Sequence, residues 1–270
     1  MLFILLFNLI IWYTIYINKN KIMKTVKILV SVLFIFTVNS KNEFKAKENP
    51  VYLKFKDDVK VGEDSIKNED TKECILFGID ISHYQSKIKW SELITKENNV
   101  SFVIVRATMG DRNDIHFKEN FDSAKICHYI GAYHYFDYRQ NSIIQAQNYI
   151  NTVNLIPGNF RPILDIENKG QKQSKDSLRA GVKNWLLLVE DHYGVKPIIY
   201  SGLKFYNDNL MGYFDEYPVW LAAYNPDRLI DSTFSPHMHQ YTNKIKIQGI
   251  GCNVDGNLMP AKHLNHLLIK

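Results

Sequence analysis

Two acids stand two residues apart at the end of an apolar run, Arg161-Pro162-Ile163-Leu164-Asp165-Ile166-Glu167. On a β-strand, residues i and i+2 face the same side with Cβ atoms about 6.5–7 Å apart, so Asp165 and Glu167 would share one surface. Two carboxylates that close titrate as a coupled pair. Partial burial and the neighbour's charge raise one of them, leaving a protonated acid beside an ionised partner near neutral pH. Glycosidic cleavage needs that division of labour: an acid for the leaving oxygen and a carboxylate for the positively charged transition state. The acid is assigned to Glu167 and the stabilising carboxylate to Asp165. Asp80 follows Phe77-Gly78-Ile79, and Asp255 ends the last apolar run before Gly256-Asn257; together they would complete an acidic mouth. An acidic cluster has two other readings, as solvated strand ends or as an oxygen-ligand site for Mg²⁺ or Ca²⁺. No phosphate-cradling glycine loop accompanies these acids, and neither a metal nor a cofactor is expected.

Aromatic residues crowd the same strand ends: Tyr133, Tyr135 and Phe136, then Tyr200, Trp220, Tyr224 and Tyr241. Sugar rings stack on aromatic faces while phenol groups bond hydroxyls, so Tyr133, Phe136, Tyr200, Trp220 and Tyr224 are candidates to line a glycan groove. Alternate members of the set could instead fill the core. His83, His134 and His239 also lie near strand ends, but their spacing does not match a zinc set, and a structural role is expected for each. Cys74, Cys127 and Cys252 are too few and too scattered for a disulfide scaffold; at most one bridge could form.

These residues need a scaffold that gathers strand ends. Short apolar, β-branched and aromatic runs recur at 76–82, 101–108, 131–136, 162–167, 196–201, 218–224, 237–242 and 246–254, giving eight candidate strands. Helical periodicity falls between the early ones, at 90–95, 117–129, 143–153, 177–193 and, less clearly, 203–211. Ser174 or Asp176 would cap the fourth helix and Gly194 would end it. Strand–helix alternation implies right-handed crossovers and a parallel sheet, and eight strands suggest closure. After Tyr224 the intervals are too short for crossover helices. The expected fold is an α/β, irregular TIM-like barrel of five βα units followed by three strands, with reactive groups at the C-terminal strand ends.

At 270 residues and 46% hydrophobic, the chain can bury one full-sized domain. A formal charge of +5 favours an anionic polymer, but no basic arm interleaved with aromatics, helix-turn-helix or zinc-knuckle spacing points to nucleic acid. Residues 1–40 hold two apolar runs, Met1 to Ile17 and Ile28 to Val38, the second preceded by Lys24 and Lys27. That pattern reads as an export signal starting at Met23, or as a membrane anchor, although each run is shorter than a spanning helix prefers. Residues 41–73 read as a polar linker, and residues 74–270 as the barrel domain.

In their order, Gly78-Ile79-Asp80-Ile81-Ser82 with Trp90, Val105-Arg106-Ala107-Thr108, Gly131-Ala132-Tyr133-His134-Tyr135-Phe136, Pro162 to Glu167, Tyr200-Ser201-Gly202, Trp220 to Tyr224, Gln240-Tyr241 and Val254-Asp255-Gly256-Asn257 resemble the glycoside hydrolase family 25 lysozymes. The resemblance implies a (β/α)5(β)3 barrel that hydrolyses the β-1,4 bond between N-acetylmuramic acid and N-acetylglucosamine in bacterial peptidoglycan. It implies no cofactor. No residue pattern indicates an oligomer, so a monomer is expected, and the N-terminal export signal points to a secreted, periplasmic or envelope location. The family's acid maps onto Glu167 with Asp165 its partner, Asp80 and Asp255 fall in the acidic pocket, and Gln240 and Asn257 join the substrate-contacting set. Two positions depart from the pattern. Met109 stands where the family often has glutamate, with Asp111 and Asp114 as nearby substitutes, and His239 stands where it often has tryptophan. The alternatives are a barrel that binds wall glycans without cleaving them, and an unrelated barrel hydrolase acting on chitin or another glycan.

Overall fold

A computed structural model describes residues 74–93, 98–224 and 235–270. The expected export signal or anchor and the linker lie outside the described residues. The barrel is laid down by alternation along each strand. In β2 (Phe102–Met109), Phe102 and Ile104 join one buried cluster, while Val103 and Val105 join another. A strand buried on both faces reads as a continuous apolar run, which is why 101–108 was legible as a strand. The inner cluster also holds Phe160, Ile163, Ile198, Trp220 and Met259, and so fills the barrel. The outer cluster packs the strands against the helices through Leu178, Val182 and Trp185.

The order is β1 (Ile75–Ile81), α1 (Trp90–Leu93), β2, β3 (Arg112–Asn113), α2 (Phe117–Ala124), β4 (Tyr129–Tyr135), α3 (Ser142–Thr152) and β5 (Ile163–Asp165). There follow α4 (Lys175–Tyr193), β6 (Ile198–Gly202), α5 (Leu203–Asn209), β7 (Val219–Ala222), β8 (Met238–Ile245), β9 (Val254–Pro260) and α6 (Leu264–Leu267). Neighbours run β1-β9-β8-β7-β6-β5-β4-β2, and β1 pairs with β2 to close the ring. Pairing is parallel from β1 through β2 and β4 round to β8; β9 is antiparallel to both its neighbours. The fold is thus the expected α/β barrel of five βα units and three strands, with β3 added as a hairpin on β2.

Gly78 faces Phe102 across β1 and β2, and a Cβ there would stand 2.3 Å from its ring, so only glycine lets that phenyl enter the barrel. Ser174 caps α4 by accepting from Ser177 N at 3.1 Å, and Gly194 ends it in the left-handed region at φ 69. The base is closed by the C-terminal segment: Arg161 N donates to Leu267 O at 2.9 Å, and Leu267 is fully buried among the inner residues. Among the described residues the cysteines form no disulfide.

One strand is misplaced in the sequence reading. Residues 246–253 form a turn, and the eighth barrel strand is β9, Val254–Pro260. Ile247 and Ile250 supply the apolar signal that suggested a strand, but they are buried as turn residues. Gly249, at φ 93 and pressed against Lys89 O, sets the bend. Asp255 therefore begins the last strand rather than ending a run. Because β9 runs antiparallel, that beginning lies at the same end of the barrel as the C-terminal ends of the parallel strands.

Candidate active site

Alternation carries one residue in two to the barrel axis, and at the C-terminal end those residues are polar. They line a hollow of about 620 Å³ that includes Asp80, Arg106, Tyr133, Tyr135, Asp165, Glu167, Tyr200, Trp220 and Asp255. Strand register brings them together: Asp80 pairs with Asp255 across β1 and β9, and Asp165 pairs with Tyr135 on β4 and Tyr200 on β6. Asp165 closes β5 and is 6% exposed. Glu167, two residues on, stands at the open rim of the same hollow. Ser201 Oγ donates to Ile166 O at 2.6 Å, tying down the residue between the two acids.

Beneath the rim a hydrogen-bond network holds Asp80. Gln240 Nε2 and Asn257 Nδ2 donate to its Oδ2 at 2.9 and 2.8 Å. Gln240 Oε1 accepts from Tyr200 and Tyr224, each at 2.9 Å, and Asn257 Oδ1 accepts from Trp220 Nε1 at 3.0 Å. Asp165 differs: its Oδ1 is buried with no hydrogen-bond partner among the described residues.

The carboxyls titrate upward as a group. Burial raises Asp165 well above the usual range, the charges of Glu167 and Asp80 add to this, and Arg106 opposes it. Desolvation raises Glu167, the Tyr200 hydroxyl pulls it back, and Asp255 adds to the rise. Burial, followed by the charge of Asp255, brings Asp80 up to about 8. Burial also raises Asp255. A crowded, desolvated acidic site of this kind keeps protons that water would remove. Among the described residues Arg106 is the only Lys or Arg lining the hollow, and its Nε donates to Asp114 Oδ2 at 2.9 Å. Burial pulls Asp114 up, but donors from the His83 and His116 backbones, the His83 ring and Arg106 outweigh it and leave the carboxyl below its usual range.

The structure brings Asp80, Asp165, Glu167, Asp255, Tyr133, Tyr200 and Trp220 into one hollow. It does not put Phe136 there. That ring is 3% exposed and packs in the outer core toward Gly181 of α4; it borders instead a second hollow of about 560 Å³ with Met109, Tyr135, Tyr138 and Arg139. A strand's alternation ends with the strand, and Phe136 lies one residue past β4. Gln240 and Asn257 are buried beneath the acids and hold Asp80 rather than lining the hollow, while Tyr224 is 53% exposed beside them. Asp111 and Asp114 are absent from the lining. Sequence reasoning missed Arg106, Tyr84 and Gln85, which also line it. An arginine between Val105 and Ala107 in an otherwise apolar strand was the available signal. Among the described residues no group of three or more His, Cys, Asp or Glu is arranged to hold a metal ion.

Solved structures share this architecture. A family 25 glycosyl hydrolase from Bacillus anthracis superposes with a TM-score of 0.65 at 23% identity, covering 71% of this chain and 92% of that one. A lysozyme from Streptomyces coelicolor does so with a TM-score of 0.62 at 22% identity, covering 72% and 96%. At these identities the likeness speaks for the fold. In sequence, the chain is 36% identical over 188 residues to the uncharacterized protein YegX of Escherichia coli, covering 68% of this chain and 69% of that protein. It is 28% identical over 182 residues to an autolytic lysozyme of Clostridium acetobutylicum, covering 66% and 54%. The model of the glycosyl hydrolases family 25 matches residues 79–250, a span that runs from the strand of Asp80 past that of Gln240, and the chain belongs to that family.

Proposed function

We propose that this glycoside hydrolase is a muramidase that cleaves the β-1,4 bond between N-acetylmuramic acid and N-acetylglucosamine in bacterial peptidoglycan. The observation that carries the reading is the pairing of a buried Asp165, whose Oδ1 has no hydrogen-bond partner among the described residues, with a rim-exposed Glu167, both with raised carboxyls, in one hollow. Glu167, whose carboxyl burial raises, opens onto the hollow and in its protonated form donates to the leaving glycosidic oxygen. Asp165 lies deeper in the same hollow, and in its ionised form it stabilises the positive charge that develops at the sugar. Tyr133 offers aromatic surface to the sugars and Tyr200 a phenol, while Trp220, 2% exposed, supports Asn257 from below. The likeness to the autolytic lysozyme of Clostridium acetobutylicum and the lysozyme of Streptomyces coelicolor supports a wall substrate. The same reading places the enzyme outside the cytoplasm, delivered by the apolar N-terminal segment, and working as a monomer.

The test is digestion of purified peptidoglycan by the parent chain and by Glu167→Gln, with new reducing ends identified by mass spectrometry. Loss of a general acid lowers the rate by about 10²–10⁴. Muropeptides ending in reducing muramic acid from the parent, and almost none from the variant, are expected. Equal activity in both would remove Glu167 from the mechanism. Retained binding to the wall polymer without cleavage by either would favour a glycan-binding barrel, and reducing-end N-acetylglucosamine would change the bond assigned.

A further inference from the structure

Asp80 and Asp255 stand directly opposite each other on antiparallel β1 and β9, both facing the hollow, where two like charges repel. The hydrogen bonds beneath them show how the conflict is settled. An indole N–H can only donate, so the oxygen of Asn257 must face Trp220, and its Nδ2 must face Asp80 Oδ2. The phenols of Tyr200 and Tyr224 both meet the Gln240 oxygen, which turns Gln240 Nε2 to that same Oδ2. Gln240 and Asn257 are 1% and 0% exposed, so neither amide has water as an alternative partner. With two N–H donors filling Oδ2, a proton on Asp80 can sit only on Oδ1, the oxygen left to meet Asp255.

We propose that Asp80 and Asp255 form a dyad that shares one proton, carried on Asp80 Oδ1, with the negative charge on Asp255, and that Gln240 and Asn257 are the positioning residues that set this order. Burial favours the same order, since Asp80 is 6% exposed and Asp255 lies nearer the solvent. The titration directions agree: burial and the charge of Asp255 raise Asp80, while the two amides restrain the rise. The other groups facing the dyad are Asp165 and Glu167 from the β5 end, Arg106 on β2, Tyr133 on β4, Tyr200 on β6 and Tyr224 beyond β7. This inference rests on reading the hollow as a hydrolytic site, and it gives the dyad a task there. A neutral Asp80 spares Asp165 another buried negative neighbour, while the charge on Asp255 helps raise the Glu167 carboxyl.

The test is a pH titration by NMR of the full chain carrying carboxyl-labelled aspartate, with the Asp80 signal identified by its loss in Asp80→Asn. The parent should show the Asp80 carboxyl still protonated at neutral pH. Asp255→Asn should lower its midpoint by about one unit or more, the scale of one neighbouring charge. Gln240→Glu and Asn257→Leu, which each remove a donor from Oδ2, should raise it. In hydrolysis, the alkaline limb of kcat should move down in Asp255→Asn by a comparable amount with KM unchanged, which a merely structural role would not produce. An Asp80 carboxyl that titrates in the ordinary range in the parent, or does not move in Asp255→Asn, overturns the dyad. Because the NMR titration needs no turnover, a shared proton in a chain that cleaves no peptidoglycan would fail the muramidase reading alone. Cleavage with an ordinary Asp80 would fail this inference alone.

Discussion

On the outward face of β4, His134 is wholly buried and both ring nitrogens are engaged, Nδ1 with Thr108 Oγ1 at 2.7 Å and Nε2 with Gln145 Oε1 at 3.1 Å. On the inward face of the neighbouring strand, Asp165 Oδ1 is also buried and has no partner among the described residues. Both groups sit at the C-terminal ends of neighbouring parallel strands, His134 opposite Leu164 and one register position from Asp165. The outward group is polar chemistry absorbed by packing: its ring stacks on Trp185 at 5.4 Å, and burial lowers its pKa to about 4, which keeps it neutral. The inward group holds unmet bonding capacity, which costs stability and is what a reacting substrate can use. Of these two residues, the one whose bonds are filled packs the outer layer, and the one with an unfilled oxygen lines the hollow.

The largest effect should fall on the outward side. Trp185→Ala removes a fully buried ring that supports His134 and Tyr149 and should cost about 3–5 kcal/mol. Denaturant unfolding would measure this, with activity per folded molecule preserved. If the activity per folded molecule fell with stability, the two faces would not be separable.

A somewhat smaller effect follows from pH. Burial brings His134 down to about 4 in the folded chain from the ordinary 6.5 of a free imidazole, so the unfolded chain takes up the proton first as pH falls. Stability from this site is present above 6.5 and is lost on acidification toward 4, by on the order of 3 kcal/mol. Replacing His134 by glutamine should flatten that acid limb in thermal melts taken across pH. The mouth has the opposite sign: Asp80 is raised to about 8, so its contribution is full below the ordinary carboxylate range and is lost as pH rises through its folded value. Asp80→Asn should remove that alkaline decline and leave the acid limb in place.

Much of this division could be read in the sequence. The run from Pro162 to Glu167 showed the paired acids, and Gly78-Ile79-Asp80 showed a third, because a charged residue closing an apolar strand breaks its pattern. The histidines were rightly set aside as structural for His134, whose apolar neighbours give it no ligand spacing. Phe136 was misassigned because position in a motif does not say where a strand stops, and one residue past β4 the alternation no longer holds. The turn at 246–253 was misread because apolar residues buried in a loop carry the same periodicity as a short strand. Gln240 and Asn257 were picked out by resemblance, but their work in holding Asp80 joins residues 160 and 177 positions apart, a pairing that only closure of the barrel creates.

The most direct measurement is Asp165→Asn, followed for hydrolysis and for thermal stability on the same sample. An amide in place of the raised carboxyl removes a buried acid from a crowded mouth while keeping its shape. We expect hydrolysis to fall by about 10²–10³ while stability at neutral pH rises by about 1 kcal/mol. Activity near that of the parent, or a loss of stability as large as the loss at the outward site, would contradict the assignment of Asp165 as a group held unsatisfied for catalysis.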